Sequence, residues 1–359
     1  MHLDEAQIVS WEEFKDWQVV TSHPAFPAAP ESVTSPFIDA LGVIGGAYPA
    51  YFEAMKVFHG IVDNDWPKLE RAFQFYLAEN WPRFDMAISQ ILEEERPIDA
   101  SVLMRYDLVH RLLAVTLLPL DPCSPYPELK EVIWQRAQPS PELIGYVRQP
   151  VVKKELISLQ KRLFEQINHL ILIRQAWTPA LPLLWANRLG RPVPGDWRLP
   201  GEDFVVLRDA YRQNFELSCQ ALTMLVAIQN VVEGRSAATI RSDNEAAPWI
   251  PTDFSGKSAP RTLSQFRKLT AESKIAFLDR FPEVAAAWHE SFDRNIRNAI
   301  AHADADIVVR SSEIATGKGM IIPYIKFVEA VIKQIQLLLL WLDLAKLFRV
   351  YSLPLNDVS

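Results

Sequence analysis

Glycine is scarce in this chain, at 12 of 359 residues. That disfavours a β-protein built on Gly-rich turns. Gly317-Lys318-Gly319 lacks the Walker spacing and a preceding strand, so it is not a phosphate loop. Cysteine is scarcer still. Cys123 and Cys219 are far apart, with no CxxC or Cys/His ligand spacing. They indicate neither a disulfide framework nor a zinc site, and reduced, buried thiols are the expectation. A basic excess is missing as well. Lys and Arg number 37 against 44 Asp and Glu, for a net charge of −7, which excludes a general nucleic-acid sleeve. The longest apolar run, Leu337–Leu342, is far short of a membrane span. The opening MHLDEAQIVSWEEF is acidic and has no apolar segment, so it does not read as a signal peptide. GxSxG, HExxH and dinucleotide fingerprints are absent. The expectation is a cytoplasmic protein with no membrane partner, no metal and no cofactor.

Proline is plentiful (26), and many prolines sit where helical patterns stop. Hydrophobic residues make up 49% and charged residues 23%, a globular balance. The pattern predicts an all-α protein with one possible small β-hairpin. Ser10-Trp11-Glu12-Glu13 reads as a capping box. Thr21–Pro36 reads as an irregular connector, and Phe37–His59 as a helix broken near Gly45-Gly46 and Pro49. Helices are expected from Trp66 to about Asn80, from Pro82, over Ser101–Leu118, Pro127–Gln138 and Pro141–Arg148, and over Pro150–Trp177. Residues 1–178 form a helical N-terminal domain in this reading. Residues 179–202 form a Pro/Gly/Trp-rich connector, whose Trp185 and Trp197 argue that it packs against something.

Residues 203–359 read as a helical bundle. Its pieces are Asp203–Val232, a long connection Gly234–Pro260, Thr262–Arg280 and Pro282–Ala303. A hairpin of Ile307–Val309 with Met320–Ile322 follows, then Pro323–Tyr351, apolar nearly all round. A helix of that kind is central to a core or forms a subunit interface.

Trp288–Asp306 carries the densest set of RNA-cleaving side-chain types. Trp288, Phe292, Ile296, Ile300, Ala303 and Ile307 recur at spacings of three and four and make one apolar stripe. Arg294, Arg297, Asn298 and His302 spread over the opposite arc, with Asn298 and His302 an i, i+4 pair.

Arg297-Asn298-Ala299-Ile300-Ala301-His302, R-N-x-x-x-H, resembles the signature of the HEPN superfamily (higher eukaryotes and prokaryotes nucleotide-binding). The resemblance covers roughly Asp203–Tyr351. Cleaving RNA without a metal needs a base for the 2′-OH proton and an acid for the leaving 5′-oxygen. His302 can fill either role. Arg297 offers a planar cationic fork to phosphate oxygens, and Asn298 can orient His302 or hold a ribose hydroxyl. Arg294 is a second phosphate contact by position, outside the family motif. One chain supplies one such His. The resemblance implies a homodimer in which two Arg-His sets face each other, with RNA as substrate and 2′,3′-cyclic phosphate products. It also implies a toxin or effector role in bacterial defence, with an antitoxin or regulatory partner. The rival reading is a non-catalytic interaction, dimerisation or nucleotide-sensing module.

Other residues read more plainly. Asp304 and Asp306 are turn residues, and Glu93-Glu94-Glu95 is a solvated run. His289 falls on the apolar side of its helix, while His59, His110 and His169 are isolated and structural. The cations between Arg261 and Arg297 form either a basic patch or a solvated face.

Overall fold

Proline sets where most helices begin. The computed structural model of the chain describes residues 42–94, 101–191, 199, 203–240, 260–275, 277, 281–301, 306–308, 313–315 and 321–353. The early helices are α1 (Tyr48–Asn64), α2 (Trp66–Leu77), α3 (Trp81–Ile91), α4 (Val102–Leu117), α5 (Tyr126–Arg136), α6 (Pro141–Val147), α7 (Pro150–Leu172) and α8 (Leu181–Arg188). All of these except α4 carry Pro at the first or second helical position, where its missing N–H costs nothing. Helix α4 is opened instead by Ser101, whose Oγ accepts from the Met104 N–H at 3.2 Å.

Eight more elements of helix and strand lead to the last helix. They are α9 (Phe204–Val232), α10 (Leu263–Arg267), α11 (Ala271–Ile275), α12 (Pro282–Ser291), α13 (Arg294–Ala301), β1 (Asp306–Val308), β2 (Glu313–Ala315) and β3 (Ile321–Pro323), followed by α14 (Tyr324–Tyr351). The architecture is all-α with one small antiparallel sheet. The expected hairpin gains a member: β2 lies between β1 and β3 and pairs with both, Ile307 opposite Ile314 and Ile314 opposite Ile322. Ser10–Glu13, Thr21–Pro36, Trp197 and most of Gly234–Pro260 lie outside the described residues. The expected helix over Thr262–Arg280 is two short ones, α10 and α11, the first opened by a Thr262/Gln265 capping box.

Helix α14 runs through the middle of the molecule. It packs against α4, α5, α6, α7, α9 and α12. Nearly every residue from Phe327 to Arg349 is buried, so its role here is that of a core helix. Buried side chains from Ile44 to Phe348 join in one apolar cluster. That cluster crosses the Pro/Gly/Trp segment: Leu181, Leu184 and Trp185 belong to it, and Trp185 Nε1 donates to the Leu120 carbonyl at 3.0 Å. Among the described helices, α9 alone has the length and composition to cross a membrane. Of its most apolar stretch, 72% is buried inside the molecule, as in a core helix. Cys219 on α9 is buried, as expected, but Cys123 is exposed, in the turn ahead of α5.

Candidate active site

Arg297–Ala301 of the motif lies on α13, and α13 is not the end of a long helix. The continuous helix expected over Pro282–Ala303 breaks at Phe292–Asp293. Phe292 has left helical geometry (φ −126°, ψ 60°), and Asp293 begins a new helix. Its carboxylate accepts from the Asn295 and Ile296 N–H groups at 2.7 and 3.0 Å. An acid here satisfies orphan donors and faces the positive end of the helix. The break leaves the apolar register intact. Trp288, Phe292, Ile296 and Ile300 are all buried. Phe292 packs among Trp288, Phe215 and Tyr211, tilted to the first and edge-on to the other two, at centroid distances of 4.7, 5.3 and 5.8 Å. Gln334 of α14 fixes the break from below: its Nε2 donates to the Ser291 carbonyl at 3.1 Å, and its Oε1 accepts from Asn214 at 2.6 Å.

Arg297 stands one turn into α13. It is half-buried, and its guanidinium lies 5.7 Å from the Phe215 ring centre, within cation–π range. Arg294 opens the same helix and Asn298 follows Arg297 on it; their side chains are outside the described residues. His302 and Asp304 also lie outside the described residues. Asp306 stands in β1. The cations between Arg261 and Arg297 divide. Arg261 and Lys268 are exposed, Lys274 is buried, and Arg297 rests on Phe215. His289 is exposed, not on the core side. Val284, Ala287, Trp288 and Ser291 set the buried face of α12, which leaves His289 outside.

Asp293 supplies a direct test of this local geometry. Asp293→Ala is expected to destabilise the protein by about 1 kcal/mol, while Asp293→Ser retains most of the stability. Urea midpoints of the three proteins measure it. Equal midpoints for wild type and Asp293→Ala would remove the cap from the account.

A second chemistry-bearing cluster lies on α14, where the sequence reads as apolar. Asp343, Lys346 and Arg349 are all buried. The Asp343 carboxylate, 2% exposed, accepts from His110 Nδ1 of α4 at 3.1 Å and Lys130 Nζ of α5 at 2.9 Å. It also accepts from Lys346 at 3.1 Å and from the Tyr126 hydroxyl. Lys346 continues to Asp107 at 3.1 Å. Arg349 spans Glu79, Tyr106 and Gln160 at 3.0, 3.2 and 2.9 Å, and lies over the Tyr76 and Tyr106 rings. Burial works against ionising Asp343. The hydrogen bond from His110 and the ammoniums of Lys346 and Lys130 outweigh it and hold the carboxyl well below its usual range. These groups satisfy one another, as buried charges must. His110, expected to be isolated, is part of this cluster.

Burial pushes the His110 imidazole down to about 4, against the pull of the Asp343 hydrogen bond. It is therefore neutral at neutral pH, with Nδ1–H on Asp343 and an Nε2 that has no hydrogen-bond partner among the described residues, near Tyr76 and Phe73. The unfolded chain takes up this proton near pH 6.5 and the folded chain only near 4. Between those values the unfolded state binds more protons, so stability falls as pH drops. The loss is on the order of 3 kcal/mol by pH 4. The depressed Asp343 carboxyl extends it below about pH 3.8. Thermal melts from pH 7.5 to 4.5 are expected to show the decline, flattened in His110→Gln. An unflattened decline in that variant would assign the effect to other groups.

No protein-family model, curated protein or solved structure matches the chain. Among the described residues no group of three His, Cys, Asp or Glu side chains is placed to hold a metal ion.

Proposed function

We propose that the protein is a metal-independent endoribonuclease of HEPN type, acting in the cytoplasm as a homodimer in bacterial defence. The observation that carries the reading is the setting of Arg297. A short, capped helix buries Ile296 and Ile300 and seats the half-buried Arg297 with its guanidinium against the Phe215 ring. That is a cation held in place on a rigid element, and a guanidinium is the group that suits phosphate oxygens. Asn298 and His302 follow it in the sequence at one and five residues. In this reading Arg297 binds the scissile phosphate and stabilises the charge that develops on it. His302 of one copy takes the 2′-OH proton, and His302 of the second protonates the leaving 5′-oxygen. Asn298 orients the imidazole, and Arg294 contacts a neighbouring phosphate.

The test is incubation of a structured RNA in EDTA with wild type and with His302→Ala. Cleavage by wild type alone supports the nuclease. No cleavage by either moves the C-terminal bundle to the non-catalytic class, a dimerisation or ligand-sensing module.

A further inference from the structure

An open cavity of about 700 Å³ lies between the N-terminal half of α7, the middle of α9, and the short helices α10 and α11. That volume suits a small organic molecule. Its floor is apolar and buried, with Leu156 and Leu159 from α7 and Cys219 and Thr223 from α9. The walls carry Lys154, Arg162, Arg267 and Lys274 against Glu155 and Glu216, a net positive lining in a chain of net charge −7. Arg267 meets Glu155 at 3.8 Å at the rim, where both are more than half exposed.

Lys274 is set differently. It is 9% exposed and lines the cavity, and among the described residues no carboxylate or other acceptor meets its ammonium. An ammonium that faces a largely apolar cavity with no acceptor beside it is poorly compensated, and an anionic group in the cavity would offset that. The apolar floor beneath it would accept the rest of such a molecule.

We infer that this cavity binds a small amphipathic anion. A carboxylate or phosphate head meets Lys274, with Arg267 at the rim, and an apolar body lies on Leu156, Leu159 and Met224. This is independent of whether the chain cuts RNA.

Calorimetric titration of the full chain with decanoate and with 1-naphthyl phosphate tests it. One molecule of at least one probe is expected to bind, and the tighter probe identifies the head group. Lys274→Met is expected to weaken that binding at least tenfold. The same variant without ligand is expected to melt higher than wild type, because the unpartnered charge is gone. Thr223→Trp, which fills the floor and leaves Lys274 in place, is expected to abolish binding. Absence of binding by both probes overturns the inference. So does binding that survives at full affinity in both variants, or a melting temperature for Lys274→Met below that of wild type, which would give Lys274 a structural partner.

Discussion

Asp343→Ala is expected to cost about 3–5 kcal/mol of folding stability. The reason is what the truncation leaves behind. Wild type holds one carboxylate, 2% exposed, among two ammoniums, an imidazole N–H and a phenol O–H, drawn from α4, α5 and α14. Without it Lys346 keeps Asp107. His110 Nδ1 and the Tyr126 hydroxyl lose their acceptor in the interior, and Lys130 loses its countercharge. Each orphaned donor then carries its full desolvation cost. A methyl group in place of the carboxylate also opens a void in a close-packed layer. Asp343→Asn is the informative companion. It keeps the shape and one acceptor, so Tyr126 stays satisfied, but Lys130 loses its countercharge and Lys346 is left with Asp107 alone; its stability should fall between the other two. Glu53→Ala, at the exposed Glu53–Lys56 pair, should leave the melting temperature unchanged. Urea unfolding of all four proteins decides it. If Asp343→Ala falls within about 1 kcal/mol of wild type, the cluster is not what joins α14 to α4 and α5.

Local chemistry made the helices legible and long-range pairing stayed hidden. Pro49, Pro67, Pro82, Pro127, Pro141, Pro150 and Pro282 each stand in the first turn of a helix, Ser140 also caps the Pro141 helix, and Ser101 and Thr262 cap two more starts. These signals act within one turn of chain and need no partner. The break at Phe292–Asp293 escaped because the apolar spacing from Trp288 through Ile300 runs on unchanged across it. The available signal was Asp293 itself, a capping residue in mid-pattern. Strand β2 is three residues long and has no usable alternation, so only pairing with β1 and β3 defines it. The buried cluster had a visible half. Asp343, Lys346 and Arg349 recur at three-residue steps along an apolar helix, which places them close on one side of it. Their partners lie more than two hundred residues upstream in His110, Tyr126, Lys130, Glu79 and Tyr106, with Gln160 nearly as far, and no spacing rule reaches that distance. At the motif, residue types were legible from the sequence. The seat of Arg297 on Phe215 required the fold, because Phe215 comes from α9.

RNA cleavage in EDTA is expected to fall by about 10²–10⁴-fold in His302→Ala, the usual contribution of a positioned acid or base. Arg297→Ala should lose about 10²–10³-fold, the scale of removing one group that stabilises transition-state charge. Arg297→Lys should recover little of this. Lysine restores the charge but presents a point donor where a planar fork meets two phosphate oxygens and stacks on an aromatic ring. Phe215→Leu should give a smaller loss, because it removes the ring beneath the guanidinium and leaves the guanidinium itself. Since one chain holds one motif, specific activity should rise with protein concentration as dimers assemble, and the 5′ fragments should end in 2′,3′-cyclic phosphate. Each variant's melting temperature separates chemistry from folding: a loss of activity at wild-type stability belongs to the site. Three results would defeat the nuclease reading: wild-type cleavage that persists undiminished in His302→Ala, cleavage that disappears from wild type when EDTA is added, or linear 3′-phosphate formed with no cyclic intermediate. Each would show that the bond is broken by something other than paired imidazoles acting on a 2′-hydroxyl.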